Sequence, residues 1–207
     1  MSQRDFELQL ERGRMGERMI LGEYQRHGWG VIPSYDYSGQ GDNKAPKLAF
    51  AHRGLPVPDG DICKDGVRVW IEVKTFYHSP WNRSHKSWRH GIKRRLRDAY
   101  LEVQRETGAP VYLCVLEVCS GVALVARLDR IEWHPCQCRP NCESPWCAVY
   151  FERHRMQLLR HFSNEEMVEI RAAWGEAPPS FRKDAQDGNA PGPIDTFGPP
   201  RWAGAEL

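Results

Sequence analysis

The sequence predicts a mixed α/β domain with its own hydrophobic core, followed by a short tail. Residues 3–27 and 92–107 lack proline and mix apolar with charged residues in a manner typical of helices. Residues 61–75 and 111–126 are rich in β-branched residues and contain Asp-Gly and Ser-Gly turn signals, which predicts strands. A length of 207 residues with 41% hydrophobic and 27% charged residues fits one globular domain.

The first helix is expected to end at Gly28-Trp29-Gly30, and Val31-Ile32 to begin a strand. Residues 34–58 are rich in Gly, Pro, Ser and Asp, which predicts a long loop. Residues 61–64 and 67–75 then form a β-hairpin around the two-residue turn Asp65-Gly66. This hairpin is the clearest local structure in the sequence.

The second half of the chain continues with the helix over 92–107 and strands over 111–118 and 122–126. Ser163-Asn164-Glu165-Glu166 has the spacing of a capping box and predicts a last helix reaching about Trp174. Residues 175–207 contain six prolines and five glycines, which predicts a flexible, disordered tail after a domain of residues 1–174.

No apolar run approaches the roughly 18 residues that a membrane helix needs. The N-terminal residues are charged throughout, unlike a secretory signal, so a cytoplasmic protein without membrane contact is expected. In that compartment the seven cysteines are expected to be thiols or metal ligands rather than disulfides.

The hairpin gathers acidic residues beside a lysine. Alternation along the second strand places Glu72 and Lys74 on one face. Pairing across the two-residue turn places Asp61 diagonally from Glu72 on that face, and Asp59 opposite Glu72 if pairing continues. Converging carboxylates repel each other unless a cation neutralises them, and oxygen ligands suit magnesium or manganese.

The first helix adds one more carboxylate. Glu17 lies within a stripe of apolar and small residues at helical spacing, so its side chain is expected to face inward. Taken singly, each acid has a plainer interpretation: a surface ion pair for Glu72 with Lys74, a helix-edge position for Glu17, and turn residues for Asp59 and Asp61. The combination favours a functional cluster.

Residues 10–120 resemble the PD-(D/E)XK nuclease superfamily, which includes Holliday-junction resolvase-like and restriction-endonuclease-like members. The resemblance rests on the segment GRMGERMILGEYQRHGW, on an aspartate at Asp61 and on the E-x-K of Glu72 and Lys74. Two features depart from the family: the loop before Asp61 is long, and the glutamine–tyrosine pair of some members has no clear equivalent. Pro58-Asp59 is the literal "PD", which makes Asp59 the second choice.

The resemblance implies a restriction-endonuclease-like core of helix, three-stranded meander, helix and strand. It further implies a Mg²⁺- or Mn²⁺-dependent enzyme in which Asp61, Glu72 and the Val73 carbonyl hold the metal. Lys74 would orient the attacking water or stabilise developing charge, and Glu17 would assist as a further catalytic carboxylate. A homodimer is plausible because resolvase-like relatives pair.

A basic, aromatic segment follows the E-x-K strand directly. From Val73 to Arg97 there are eight bases and no acids. Such a run is typical of phosphate contact and base stacking, although a solvated helix face is the alternative. The expected DNA-binding residues are Arg83, Lys86, Arg89, Lys93, Arg94, Arg95 and Arg97.

Four cysteines, Cys136, Cys138, Cys142 and Cys147, lie within twelve residues of a proline-rich loop over 134–147. This spacing can close a tetrahedral zinc site, and His134 could replace one ligand. An iron–sulfur cluster, or free or paired thiols, are the alternatives.

These observations favour a Mg²⁺-dependent DNA nuclease that hydrolyses phosphodiester bonds, whether within or at the ends of the strand, and holds DNA mainly through its phosphates. The alternative is a non-catalytic, zinc-stabilised nucleic-acid-binding module whose acids are structural. A protein-interaction adaptor is favoured only by the proline-rich tail.

Overall fold

A computed structural model describes residues 3–34, 47–50, 53–79, 81–82, 87–136, 144 and 147–175. The helices are α1 (Gln3–Arg26), α2 (Arg94–Thr107) and α3 (Val168–Trp174), with a short 3₁₀ turn at Arg153–Arg155. The strands are β1 (Gly30–Pro33), β2 (Lys47–Phe50), β3 (Arg53–Pro56), β4 (Gly60–Lys64), β5 (Val67–Phe76), β6 (Trp81–Asn82), β7 (Ser87–Lys93), β8 (Val111–Glu117), β9 (Val122–Arg127), β10 (Ala148–Glu152) and β11 (Gln157–His161).

A six-stranded mixed sheet in the order β1-β4-β5-β8-β9-β11 organises the fold. Strands β5 and β8 are parallel and are joined through α2, whereas the other neighbours in this sheet are antiparallel. The order α1, β1-β4-β5, α2, β8 is the helix, meander, helix, strand order expected from the sequence. Smaller sheets, β10-β7-β6 and β2-β3, flank it.

The β4–β5 hairpin has the predicted register. Asp65 and Gly66 have φ angles of 50° and 81°, which is the left-handed pair that a tight two-residue hairpin turn requires. Lys64 pairs with Val67 and Asp61 with Trp70, so the turn fixes which side chains share a face.

Apolar side chains cover both faces of the large sheet. On one face Ile20, Leu21 and Tyr24 of α1 pack against Ile71 and Val73 of β5. The opposite face carries a second cluster, in which Tyr100 and Val103 of α2 pack with Trp70, Leu113 and Val115. The middle of strand β5 is therefore buried between two cores, and Glu72 in this part of the strand is removed from water.

The structure differs from the sequence-based elements in three places. The loop expected over 34–58 contains the β2–β3 hairpin, whose Leu48 and Leu55 join the core beside α2. Ile92 and Lys93 belong to β7, so the second helix begins at Arg94. The capping box forms between Ser163 and Glu166, but regular helix begins only at Val168.

None of the helices in the described residues is long and apolar enough to cross a membrane. Residues 176–207, expected to form the tail, lie outside the described residues.

Candidate functional site

Asp59 is held between two strands at the end of β4. Its carbonyl oxygen accepts a hydrogen bond from the Ser34 amide at 2.9 Å, and its Oδ2 accepts one from the Val73 amide at 2.8 Å. Regular pairing of β4 with β5 ends at Gly60, which pairs with Ile71. Beyond this point the Asp59 carboxylate accepts the hydrogen bond of the Val73 amide in place of a backbone carbonyl of β4. The side chain is buried, with 5% of the residue exposed.

Glu72 and Lys74 form an ion pair on β5, between Glu72 Oε1 and Lys74 Nζ. Glu72 is 1% exposed, whereas the Lys74 side chain is 31% exposed and so reaches the surface. Apart from this ion pair, neither oxygen of Glu72 has a hydrogen-bond partner among the described residues. A buried carboxylate with open acceptor positions is costly unless a cation or donor completes it.

Glu17 contributes from α1, where it is half-buried one residue after the buried Gly16. Burial, the charge of Glu72 and the charge of Glu17 raise the pKa of Asp59 well above its usual range, although Lys74 opposes this. Burial lowers the pKa of the Lys74 amine, but the carboxylates of Glu72 and Asp59 outweigh burial, so the pKa is raised overall. One lysine thus faces three carboxyl groups, and burial and repulsion among them favour protonation of Asp59 unless further positive charge is bound.

In the structure Asp61, the aspartate preferred from the sequence, is engaged outside the cluster. Arg68, which lies diagonally across the hairpin, donates from Nε and Nη2 to the Asp61 carboxylate at 2.7–3.1 Å. This forked ion pair turns Asp61 toward the exposed end of the hairpin, two residues from the cluster. Asp59, the literal aspartate of Pro58-Asp59, takes the place beside Glu72.

The donor set fits a hard divalent cation. Two buried carboxylates, Asp59 and Glu72, with Glu17 close enough to influence the charge of Asp59, match the one or two protein carboxylates by which Mg²⁺ is usually held. Within the described ranges, however, no three or more His, Cys, Asp and Glu side chains form a ready-made metal site. The Val73 carbonyl lies on the same edge of β5 as its amide, which faces Asp59.

The basic segment divides into residues with different surroundings. Arg89, expected to bind DNA, is 3% exposed and pairs with Glu152 at 3.2 Å, so its charge is already balanced inside the protein. Lys93 and Arg95 are exposed at the junction of β7 and α2, and Arg94 is half-buried there. Arg97 bonds Asp98 at 2.8 Å and lies over the Trp133 ring. Arg83 and Lys86 lie outside the described residues.

The cysteine loop is described only at its two ends. His134 and Tyr150 pair as an isolated antiparallel bridge, so the chain before Cys136 and the chain after Cys147 run side by side. Cys138 and Cys142 lie outside the described residues, and the predicted zinc site is therefore left as a prediction.

No protein-family model matches the chain, and no curated protein matches it by sequence. Among solved structures the chain is similar to Hjc, a Holliday junction resolvase from the archaeal hyperthermophile Archaeoglobus fulgidus. The two share 15% sequence identity and a TM-score of 0.46, and the match covers 69% of this chain and 90% of that one. A likeness of this degree transfers neither residue roles nor an activity to this chain.

Proposed function

We propose that this protein is a divalent-cation-dependent nuclease that hydrolyses phosphodiester bonds in DNA. The observation that carries the proposal is the convergence of Asp59, Glu72 and Glu17 on Lys74, with no hydrogen-bond partner for the Glu72 oxygens among the described residues besides the ion pair with Lys74. An excess of buried carboxylates beside a half-exposed lysine costs stability, and a role in binding a cation explains its presence.

Asp59 and Glu72 would hold Mg²⁺ or Mn²⁺, together with the Val73 carbonyl. When bound, the ion lowers the pKa of water and offsets charge on the phosphate. Lys74 is the one group of the cluster that can donate protons toward the reacting phosphate. Its pKa is raised by Glu72 and Asp59, which keeps the amine protonated, so it would stabilise developing negative charge or orient the attacking water. Glu17 would orient water on the α1 side.

The exposed basic side chains at the β7–α2 junction, Lys93 and Arg95, would hold DNA through its phosphates. Arg94 and Arg97 lie beside them. Lysine and arginine contacts of this type give affinity without reading base sequence. A homodimer, as implied by the family resemblance, is part of the same proposal.

Replacing Lys74 with alanine is expected to reduce cleavage of plasmid or branched DNA in Mg²⁺ by about a hundredfold or more, because one donor to the transition state is removed. Since the change leaves Glu72 without its ion pair, Lys74→Arg provides a second variant that keeps the charge but alters its shape. It should fold like the wild type and also cleave slowly. Lys64→Ala, on the same hairpin, is the control. Wild-type cleavage by both Lys74 variants, with circular dichroism showing folded protein, would contradict the proposal.

We propose further that the cysteine loop binds one structural zinc through Cys136, Cys138, Cys142 and Cys147. The His134–Tyr150 bridge supports this, because it brings the chain at Cys136 and Cys147 together. Elemental analysis is expected to find about one zinc per chain, and Cys138→Ser to lower thermal stability more than the cleavage rate of the folded protein. Zinc binding without any metal-dependent cleavage would favour the alternative function, a non-catalytic nucleic-acid-binding module.

A further inference from the structure

A second buried polar cluster lies beyond the end of β5, beside the middle of β7 and the end of β8. It joins Ser79, which follows β5, His90 on β7 and Glu117 at the end of β8, all fully removed from solvent. Arg153 of the 3₁₀ turn completes it, with 10% of its side chain exposed. Four segments of the chain therefore meet at one carboxylate, and none of these residues belongs to the Asp59–Glu72–Lys74 site.

Glu117 accepts hydrogen bonds at both oxygens. Arg153 donates from Nε at 2.7 Å and from Nη2 at 2.8 Å, and Ser79 Oγ donates at 2.5 Å. His90 Nε2 lies 2.9 Å from Glu117 Oε1 and 2.6 Å from Ser79 Oγ, so its N–H is shared between them. Burial raises the pKa of Glu117, but the donors His90 and Arg153 more than reverse this and lower it, so the carboxylate is ionised.

The arrangement is not that of a nucleophile activated by a base. The same nitrogen of His90 faces both Ser79 and Glu117, whereas a triad uses one ring nitrogen for each partner. His90 Nδ1 is buried without a hydrogen-bond partner in the described part of the chain, and Ser79 is inaccessible to a substrate. Burial lowers the pKa of His90, which favours the neutral ring with its proton on Nε2.

The cluster instead connects the catalytic strand to the basic segment. The His90 ring packs against Phe76 with centroids 4.8 Å apart, and Phe76 lies two residues beyond Lys74 on the same face of β5. On the other side, His90 is three residues before Lys93, and β7 runs without a break into α2. The backbone beyond β5 is also tied to β8, since the Phe76 and Tyr77 carbonyls accept the Val118 and Cys119 amides at 2.9 Å.

We propose that His90 is a positioning residue for DNA binding: its hydrogen bond to Glu117 fixes β7, and with it Lys93, Arg94 and Arg95, relative to Lys74. The inference rests on the proposed DNA binding of this chain. A buried hydrogen-bond network in which every donor meets an acceptor restrains its members to one arrangement. Without the His90 donor, β7 would keep its pairing with β10 and its apolar contacts but lose its hydrogen bond to β8.

The test compares His90→Phe, which keeps an aromatic ring beside Phe76 but has no donor, with His90→Gln, whose amide can still donate to Glu117. Binding of the full chain to duplex and branched DNA is measured in EDTA over a range of salt concentrations, so that cleavage is absent. Displacing one lysine or arginine side chain from the phosphate it contacts should weaken DNA binding about tenfold at 0.1 M salt and reduce the salt slope by about 0.9. His90→Phe is expected to bind DNA about ten- to a hundredfold more weakly, as when one or two such side chains are displaced. His90→Gln is expected to restore most of the affinity.

Cleavage rates measured over a range of DNA concentrations up to saturation give the second readout. A positioning role predicts a raised KM for His90→Phe with kcat within about twofold of the wild type. Ser79→Ala, a smaller change that removes one donor to Glu117, should shift binding in the same direction and keeps the test open if His90→Phe does not fold. His154→Gln, at a 63% exposed histidine, is the control.

Equal affinity and salt slope for the wild type, His90→Phe and Ser79→Ala would overturn the inference, as would a fall in kcat with KM unchanged. A DNA affinity of His90→Gln no higher than that of His90→Phe would also overturn it. The proposed nuclease activity fails separately: if the wild type binds DNA but never cleaves it while His90→Phe binds more weakly, the positioning role stands and the catalytic proposal falls.

Discussion

Asp59→Asn is expected to abolish metal-dependent cleavage while leaving the protein folded. The asparagine Oδ1 can still accept the hydrogen bond of the Val73 amide, so the local backbone should be retained. Removing the negative charge removes a metal ligand, and ion-assisted stabilisation of the transition state amounts to several kcal/mol, so the rate should fall about a hundred- to a thousandfold. Glu72→Gln should reduce activity to a similar extent.

DNA binding by Asp59→Asn should be unchanged or tighter, because one negative charge near the phosphates is gone. Relief of repulsion from Glu72 should also keep the free energy of unfolding at or above that of the wild type. The measurements are Mg²⁺-dependent cleavage rates, equilibrium binding in EDTA and chemical denaturation. These separate a loss of chemistry from a loss of fold or of DNA affinity.

Asp61→Asn is the matched control, two residues away on the same strand. Its carboxylate is engaged by Arg68, whose side chain is half-exposed, and ion pairs at the surface contribute about 0–1 kcal/mol to stability. Cleavage should therefore remain near the wild-type rate. If Asp61→Asn were inactive and Asp59→Asn active, the metal ligand would be Asp61, the residue first expected from the sequence, and not Asp59.

The backbone of the site could be predicted from the sequence, but the choice between its two aspartates could not. The Asp-Gly turn and the alternation of Val67–Phe76 fix the hairpin register, and they place both Asp59 and Asp61 on the face of Glu72. The decision depends on Arg68, whose long side chain can reach Asp61 and binds it from the neighbouring strand. The alternation of residues along a strand predicts which face each side chain occupies. It does not predict which of two nearby carboxylates an arginine side chain will bind.

The Glu117 network illustrates a second limit. An acid at the end of the apolar run Val111–Glu117 is a signal that local pattern could have found. Three of its partners, however, Ser79, His90 and Arg153, lie 27 to 38 residues away along the chain, on segments with no common motif. The short strands β2 and β3 were missed for a similar reason, since their pairing is stabilised by the contacts of Leu48 and Leu55 with the α2-side core rather than by a strong strand pattern.

Gly16→Ala is expected to disturb the site from outside it, because this glycine is where α1 approaches β5 most closely. A Cβ at position 16 would overlap Thr75 Oγ1 and lie 3.0 Å and 3.2 Å from Thr75 Cβ and Cγ2. Helix α1 must then move away from the strand, and overpacking of this type typically costs about 1–3 kcal/mol. The neighbouring Glu17 would move with the helix, away from Asp59 and Lys74.

Gly22→Ala, on the same helix, separates this effect from helix propensity. Apart from its chain neighbours and the helix's own backbone, no heavy atom of the described residues lies within 4 Å of a Cβ built there, so alanine should raise the free energy of unfolding by about 1 kcal/mol and leave cleavage unchanged. Gly16→Ala gains the same propensity but should lose stability in denaturation and lose cleavage rate in the folded fraction. Combining Gly16→Ala with Thr75→Ala removes Oγ1 and Cγ2 and should recover much of both, since Thr75 Oγ1 has no hydrogen-bond partner among the described residues. A Gly16→Ala variant as stable and active as Gly22→Ala would contradict the close packing of α1 on β5, and with it the assignment of Glu17 to the site.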